Sequence, residues 1–300
     1  MARTTPPRPV DVSAVFPELG RMTRAALRLH PTPGAPTVHD SSVGGPLLWP
    51  VDEECPRFDP EQLPYGQEAS GQICEEPLIP VAQLYARDVP GLPFPEGTDV
   101  LQVLWLPVPD LEGCWPAVQL RWRTAADVRE VLAEPPELEF VEMDEHVPRP
   151  CVLDPEAIGE LPPLHLLDEV LGKRVMAWSE AMSLEYQWEL SVAPGWKAGG
   201  WPAEFTFRDP ADADELRCGE CGGPVEALLT VGGNESGAGR GSWPPWNCRR
   251  WSRKTRTRIL TYTSPHRFRS GVATRSSSTT AWPTRGICPG RSCSSRYASR

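Results

Sequence analysis

Acidic residues are missing from the end of this sequence. Residues 244–300 carry 13 Lys or Arg and no Asp or Glu, whereas residues 1–243 carry 17 basic and 40 acidic residues, a net formal charge of −23. Together these numbers give the whole chain a formal net charge of −10. Because an acidic surface repels phosphate backbones, we do not expect residues 1–243 to bind nucleic acid.

Long apolar runs are also missing. The longest, residues 100–108, is far too short to cross a bilayer, and residues 1–10 are polar and proline-rich rather than typical of a secretory signal. We therefore expect a cytoplasmic protein without membrane contact. In that compartment the nine cysteines are reduced thiols or metal ligands rather than a disulfide framework.

Proline and glycine, in contrast, are abundant. The 36 prolines and 25 glycines make up about a fifth of the chain, against a usual share of roughly 12%. Such a composition favours short strands and turns. Apolar runs and alternation predict strands over 79–86, 99–106, 117–123 and 187–192, and helical spacing predicts helices over 16–30, 124–134 and 164–186.

A weak internal echo suggests two related halves. Residues 42–50, SVGGPLLWP, resemble residues 197–205, KAGGWPAEF, and an apolar strand follows each of them. We therefore predict an α+β fold with twisted antiparallel sheets, a few helices and two loosely related halves, at about 10–150 and 151–243, after a disordered arm over 1–9. The two Gly-Gly turns would face each other about a pseudo-twofold axis, with Trp196 and Trp201 lining a cleft.

The composition of residues 244–300 is typical of translation in the wrong reading frame. This segment has 18 Ser or Thr and isolated Trp and Cys, but no acid. Back-translation with chosen GC-rich codons and a shift of one base permits a strand pattern, Gly-Tyr-Ala-Leu-Gln-Leu-Tyr, for residues 271–280. The same shift gives Cys-Leu-Ala-Asp-Pro-Arg-His from residues 279–294. We therefore predict a frameshift near Trp243 and a disordered, out-of-frame tail over 244–300.

Several motifs resemble a known family. They are, in order, SSVGGPLLWP, PVAQLYARDVPGLPFPEGTDVLQVLW, AEPP, PGWKAGGWP and CGECGGPVEALLTV. This series is similar to the YwqG-like family in its actinobacterial form, and the similarity covers residues 29–243. The resemblance implies a bacterial cytoplasmic protein of mixed α and β structure. It implies no reaction and no catalytic residues, because none are established for the family.

A pair of cysteines is the most specific chemical motif. Cys218 and Cys221, in the order Cys-Gly-Glu-Cys-Gly-Gly, have the spacing of one knuckle of a tetrahedral zinc site. Zinc needs four ligands, and the shifted frame of the tail supplies a Cys and a His. Our hypothesis is that the intact gene encodes a structural zinc site of which this chain retains half. Two unligated thiols in a loop and a thioredoxin-like redox pair remain as alternatives.

Other polar groups are interpreted as ordinary surface. His39, Asp40 and Ser41 are the residue types of a catalytic triad, but adjacent residues do not form triad geometry, and a polar turn is the simpler interpretation. The acidic groups at 52–54, 75–76 and 142–145 lack the spacing of a calcium loop and are interpreted as solvated charge. His146 and His165 are interpreted as structural or surface residues.

These patterns favour one function class and leave a second open. We expect a non-catalytic binding protein for a protein partner or small ligand, because no catalytic constellation stands out from the sequence. The alternative is an enzyme, of hydrolase type, with a site between the two halves that uses acidic residues or His. A cleft with converging carboxylates and His would favour the enzyme.

Overall fold

The computed structural model describes residues 4–58, 77–106, 118–135, 147–202 and 226–232, and three short strands beyond them. The strands in chain order are β1 (Arg24–Arg28), β2 (Thr32–Pro33), β3 (Ser42–Val43), β4 (Ile79–Tyr85), β5 (Val100–Trp105), β6 (Val118–Arg123), β7 (Cys151–Val152), β8 (Glu156–Glu160), β9 (Lys197–Gly199), β10 (Ala227–Val231), β11 (Leu260–Thr263), β12 (Arg267–Phe268) and β13 (Trp282–Pro283).

Two antiparallel sheets organise these strands. Sheet A has the order β8-β1-β9-β10, with β11 beside β10, and sheet B has the order β2-β7-β3-β4-β5-β6. The predicted α+β class with antiparallel sheets and few helices is confirmed. Strand β11, which belongs to the predicted out-of-frame tail, pairs with β10 at the edge of sheet A. The rest of the predicted out-of-frame tail, apart from the hairpin of β12 and β13, lies outside the described residues.

Among the described residues, few α- and π-helical elements accompany the strands. They are α1 (Val12–Val15), α2 (Pro17–Arg21), α3 (Glu169–Ala181) and a π-helical turn over Tyr186–Ser191. The carboxylate of Asp168 caps α3 by accepting from the backbone N–H groups of Val170 and Leu171. One face of α3 buries Leu171, Val175 and Ser179, spaced four apart, against the π-helical turn and α1.

Three predicted elements were wrong. The helix predicted over 16–30 ends at Arg21, and Arg24–Arg28 forms β1, which pairs on both sides with distant strands. The helix predicted over 124–134 is one 3₁₀ turn, Ala125–Asp127, and the strand predicted over 187–192 is the π-helical turn. In each case tertiary pairing or packing outweighs local propensity.

The two sheets share one hydrophobic core. From sheet B it contains Val81, Leu84, Leu101, Val103 and Leu120, and from sheet A it contains Ala198, Leu228, Leu229 and Val231, all nearly inaccessible to solvent. The apolar runs of β4 and β5 therefore face a partner sheet on one side and covering loops on the other. This arrangement explains why these two strands were predictable from composition alone.

The predicted echo between the halves corresponds to a repeated topology. The central order β7-β3-β4-β5 in sheet B matches β1-β9-β10-β11 in sheet A, with β2 and β8 at equivalent edges. The register pairs Ser42 with Gln83 and Lys197 with Thr230, so the two Gly-Gly segments follow equivalent strands. The related halves inferred from SVGG and KAGG are therefore present as two sheets of similar topology.

The halves exchange strands at one crossing. After β1, residues Leu29, His30 and Pro31 lead from sheet A to β2 in sheet B, and after β7, residues 153–155 lead from sheet B to β8 in sheet A. Both linkers have three residues, Leu-His-Pro and Leu-Asp-Pro. They touch, because the Asp154 N–H donates to the Leu29 carbonyl at 3.0 Å.

Each Gly-Gly turn packs against its own sheet. Gly44, with φ of 58°, approaches the backbone of Pro148, and Gly200, with φ of 77°, approaches the carboxylate of Glu160. A Cβ on Gly200 would lie far inside van der Waals contact with Glu160 Oε2. The sequence repeat thus marks two positions where only glycine fits.

Substitution of Gly200 by Ala is expected to destabilise the fold by about 3 kcal/mol or more, since strain and a steric clash add. Gly97 is the matched control, because it has a φ of 79° and no heavy atom lies within 4 Å of the position that a Cβ would take. Gly97→Ala should cost only the conformational strain, about 1 kcal/mol. Chemical denaturation measures both variants, and equal losses would contradict the steric explanation.

Candidate functional site

A row of polar side chains crosses the outer face of sheet A. The strand register places Glu156, Arg28, Lys197 and Thr230 side by side on four adjacent strands. Arg28 and Lys197 have 0% relative exposure and Thr230 has 1%. Buried charges are expensive unless they are paired, so the partners of this row determine what it does.

Lys197 is paired within the fold. Its ammonium donates to both carboxylate oxygens of Glu160, at 2.7 and 2.6 Å, and to the Trp201 carbonyl at 2.6 Å. Glu160 also accepts from the backbone N–H groups of Ala193 and Trp201, at 2.8 and 2.9 Å. Burial lowers the pKa of Lys197, and the Glu160 carboxylate opposes that shift. This saturated cluster is structural.

Glu156 lies at the more accessible end of the row, with its side chain 23% exposed. Its Oε2 atom accepts from the backbone N–H of Thr5 at 2.7 Å and from the Thr5 hydroxyl. That hydroxyl accepts in turn from Arg28 Nη1 at 3.0 Å. His30 Nε2 lies 3.1 Å from the same Glu156 oxygen. We call the three side chains of Arg28, His30 and Glu156 the Thr5 niche.

The niche lies at the crossing between the sheets. His30 is fully buried and has a φ of 44°, a conformation that side chains other than glycine rarely adopt. Burial opposes ionisation of Glu156, yet the hydrogen bonds from Thr5 and His30 outweigh it and hold the pKa of Glu156 below its usual value. The ionised carboxylate is therefore the form that the niche stabilises.

The N-terminal arm covers the niche. From Thr4 onward, the segment predicted to be disordered lies against sheet A, because Thr5 and Arg8 find buried polar partners there. Arg8 donates through Nε to the Leu190 carbonyl and through Nη2 to the Gly159 carbonyl, each at 2.7 Å. Beside the arm, a cavity of about 250 Å³ is lined by Arg8, Val10, Asp11, Val12, Ser13 and Leu161.

Sheet B carries a neutral counterpart on its outer face. The Gln83 and Gln102 side chains are fully buried and joined by a 2.9 Å hydrogen bond, and both bind the backbone of Leu48. Arg123 continues the chain by donating to Gln102 at 2.8 Å and to both oxygens of Glu53 at 2.6 and 2.7 Å. Glu53, interpreted from the sequence as solvated loop charge, instead anchors the loop to the sheet.

The triad-type residues form a turn, as the simpler interpretation proposed. Asp40 accepts from the backbone and hydroxyl of Thr37, at 2.8 and 2.7 Å, and His39 is exposed. Ser41 donates to Asp88 at 2.6 Å and accepts from the Tyr85 N–H at 2.8 Å. The hydroxyl of Ser41 is thus engaged by β4 and the turn that follows it, away from a His base.

The predicted zinc knuckle is not tested. Cys218 and Cys221 lie outside the described residues, as do the acidic groups at 75–76 and 142–145 and the side chain of His146. Among the described residues, no group of three or more His, Cys, Asp or Glu is placed to hold a metal ion. The half zinc site therefore stays a prediction.

The cleft predicted beside Trp196 and Trp201 was wrong. Both rings are buried, with 7% and 8% exposure. Trp196 belongs to the core between the sheets, and Trp201 donates to the Met22 carbonyl and stacks under Arg24 at 3.7 Å. The aromatic rings fill space around the Gly-Gly turn because they have more to gain from burial than from solvent contact.

Sequence reasoning missed the niche because its members are far apart in the chain. Thr5 was assigned to a disordered arm, Arg28 and His30 to a helix, and Glu156 to no element. One signal was available: Leu-His-Pro at 29–31 repeats as Leu-Asp-Pro at 153–155. That repeat, combined with the Gly-Gly echo, would have located the crossing.

Comparisons with known proteins do not assign this chain to a family. The sequence matches no protein-family model, and no curated protein matches it. In the part of the chain that the structure describes, no helix combines the length and apolar character needed to cross a membrane.

Replacement of Lys197 by Met should destabilise the protein by about 3–5 kcal/mol, because it leaves the buried Glu160 carboxylate without its cation. The exposed pair of Lys173 and Glu169 is the control, and Lys173→Met should change stability by less than about 0.5 kcal/mol. Denaturant unfolding gives both values. The double variant Lys197→Met with Glu160→Gln should lose less than the sum of its single variants; additive losses would contradict a coupled pair.

The niche also predicts a pH dependence. A carboxylate whose folded pKa is lowered adds stability that is complete above its unfolded pKa and is lost as the pH falls through the folded value. The advantage in unfolding free energy of the wild type over Glu156→Gln should therefore be constant above pH 4.5, the ordinary value for Glu, and shrink below it. In a Thr5→Val background this pH dependence should weaken. An unchanged profile would show that Thr5 does not hold the carboxylate.

Proposed function

We propose that this protein is a non-catalytic binding protein whose ligand is a protein partner or a small molecule. One observation carries the proposal. The outer face of sheet A binds the N-terminal arm through hydrogen bonds to Thr5. Arg28 donates to the Thr5 hydroxyl, and Glu156 accepts from the Thr5 backbone N–H. A surface that already positions donors and acceptors around an added segment has the properties of a recognition site.

The neighbouring polar clusters support this proposal. The Glu160 carboxylate accepts four hydrogen bonds from Lys197 and two backbone N–H groups, and Gln83 and Gln102 bind each other and the loop at Leu48. These groups hold loops on the sheets, a structural role. Glu156 and Arg28 differ, because the group that they contact, Thr5, belongs to the terminal arm.

A hydrolase-type enzyme remains the second candidate, and one observation favours it. His30 is buried at the crossing between the two sheets, in a strained conformation, 3.1 Å from Glu156. Strained residues are frequent at active sites, and a His beside a carboxylate is a common general base. In the described structure the Glu156 carboxylate accepts hydrogen bonds from Thr5. Catalysis with this carboxylate would require the arm to dissociate from it.

Membership in the YwqG-like family and a cytoplasmic location are part of the same proposal. The proposed family membership is supported by the order of the motifs, from SSVGGPLLWP to CGECGGPVEALLTV, and by the two sheets of similar topology. The location is supported by Cys55 and Cys151, which are thiols and not disulfide partners. An incomplete zinc knuckle at Cys218 and Cys221 also belongs to this proposal.

A library experiment separates the two functions. Full-length protein is exposed to a random peptide and fragment library, and the retained molecules are tested again on Glu156→Gln and, as a control, on Glu169→Gln, an exposed site on α3. We expect ligands whose binding falls with Glu156→Gln only. In parallel, generic ester, phosphate, glycoside and peptide substrates are assayed; turnover that disappears in His30→Asn would establish the enzyme instead.

A further inference from the structure

The arm makes the contacts that a bound peptide would make. Thr5 offers its backbone N–H and its hydroxyl to Glu156, and the same hydroxyl accepts from Arg28. A hydroxyl is the smallest side-chain group that can donate and accept at once. The niche therefore distinguishes Ser or Thr from an apolar residue of equal size, such as Val.

The residues that follow Thr5 favour an extended ligand. Pro6 and Pro7 have fixed φ and no N–H, which stabilises a polyproline II conformation and reduces the entropy lost on binding. Arg8 then makes the second attachment, to the carbonyls of Leu190 and Gly159. A Thr-Pro-Pro-Arg segment thus has two anchors, one at each end.

The niche is built for such an occupant. Arg28 and His30 are fully buried. Arg28 lies within hydrogen-bond distance of the Thr5 hydroxyl, and His30 lies within hydrogen-bond distance of the Glu156 carboxylate. Loss of Thr5 would remove the acceptor of one Arg28 hydrogen bond and two donors to Glu156. Because unsatisfied buried polar groups cost free energy, the niche favours a replacement with the same donors and acceptor.

We propose that the Thr5 niche is a recognition site for a protein segment in which Ser or Thr is followed by proline, and that the chain's own arm occupies this site as an internal competitor. The inference rests on the proposed binding function and names the class of partner. Covalent attachment gives the arm a high effective concentration at the niche. A partner segment displaces the arm when it binds tightly enough to compete with that effective concentration.

The test uses the full-length chain and a labelled peptide that copies residues 4–11, Thr-Thr-Pro-Pro-Arg-Pro-Val-Asp. Fluorescence anisotropy should show binding to the Thr5→Val chain at least about tenfold tighter than to the wild type, since a weakened arm leaves more of the niche open. A peptide with Val in place of its second Thr should bind about tenfold or more weakly. Arg8→Ala, which releases the other anchor, should also raise peptide affinity.

Three results would overturn the inference. They are equal binding of the Thr and Val peptides, binding that survives Glu156→Gln, and no binding to either released chain. If library ligands depend on Glu156 but show no preference for Ser-Pro or Thr-Pro, the inference fails and the binding function stands. A Thr5→Val chain that forms dimers with the wild type would assign the site to the arm of a second copy rather than to a different protein.

Discussion

The buried ion pair between Lys197 and Glu160 is the interaction on which sheet A depends. The Glu160 carboxylate joins β8 to β9, holds the Trp201 N–H after the Gly-Gly turn and holds the Ala193 N–H after the π-helical turn. It approaches so closely that position 200 has no room for a side chain. One saturated pair thereby joins β8, β9, the turn after β9 and the end of the π-helical turn, whose Leu190 carbonyl accepts from Arg8.

Sheet B solves the same problem with neutral groups. Ser42 occupies the position equivalent to Lys197, and Gln83 that equivalent to Thr230, so amides replace the ion pair across the outer face. The two amide side chains bind each other and the loop, and the charged pair of Arg123 and Glu53 is attached at the more exposed end of this network. The repeated framework therefore accommodates different chemistry: an ion pair on sheet A and a pair of amides on sheet B hold the covering loops.

The sequence predicted the parts of the fold that depend on local composition. The apolar runs of β4 and β5 are buried on both faces and were recognisable, and the Gly-Gly echo marked equivalent turns. By contrast, Leu19, Met22, Ala26 and Leu29 have the spacing of a helix, yet residues 24–28 form β1. Its strand state depends on β8 and β9, which come from distant parts of the chain. The niche was missed for the same reason, since only the crossing assembles it.

The crossing explains why the two halves differ at the niche. The pseudo-symmetry sets His30 equivalent to Asp154 and Thr32 equivalent to Glu156. Each linker therefore has a polar residue at its centre and the next strand begins with another, and the two halves differ in both. In sheet A the residue at this position is Glu156, and its carboxylate lies next to the buried Arg28 on the neighbouring strand. The strained φ of His30 is maintained because Leu29 is hydrogen-bonded on both sides, to Trp196 and Asp154. The polar group at this position therefore differs between the two halves, although both linkers have three residues and connect equivalent strands.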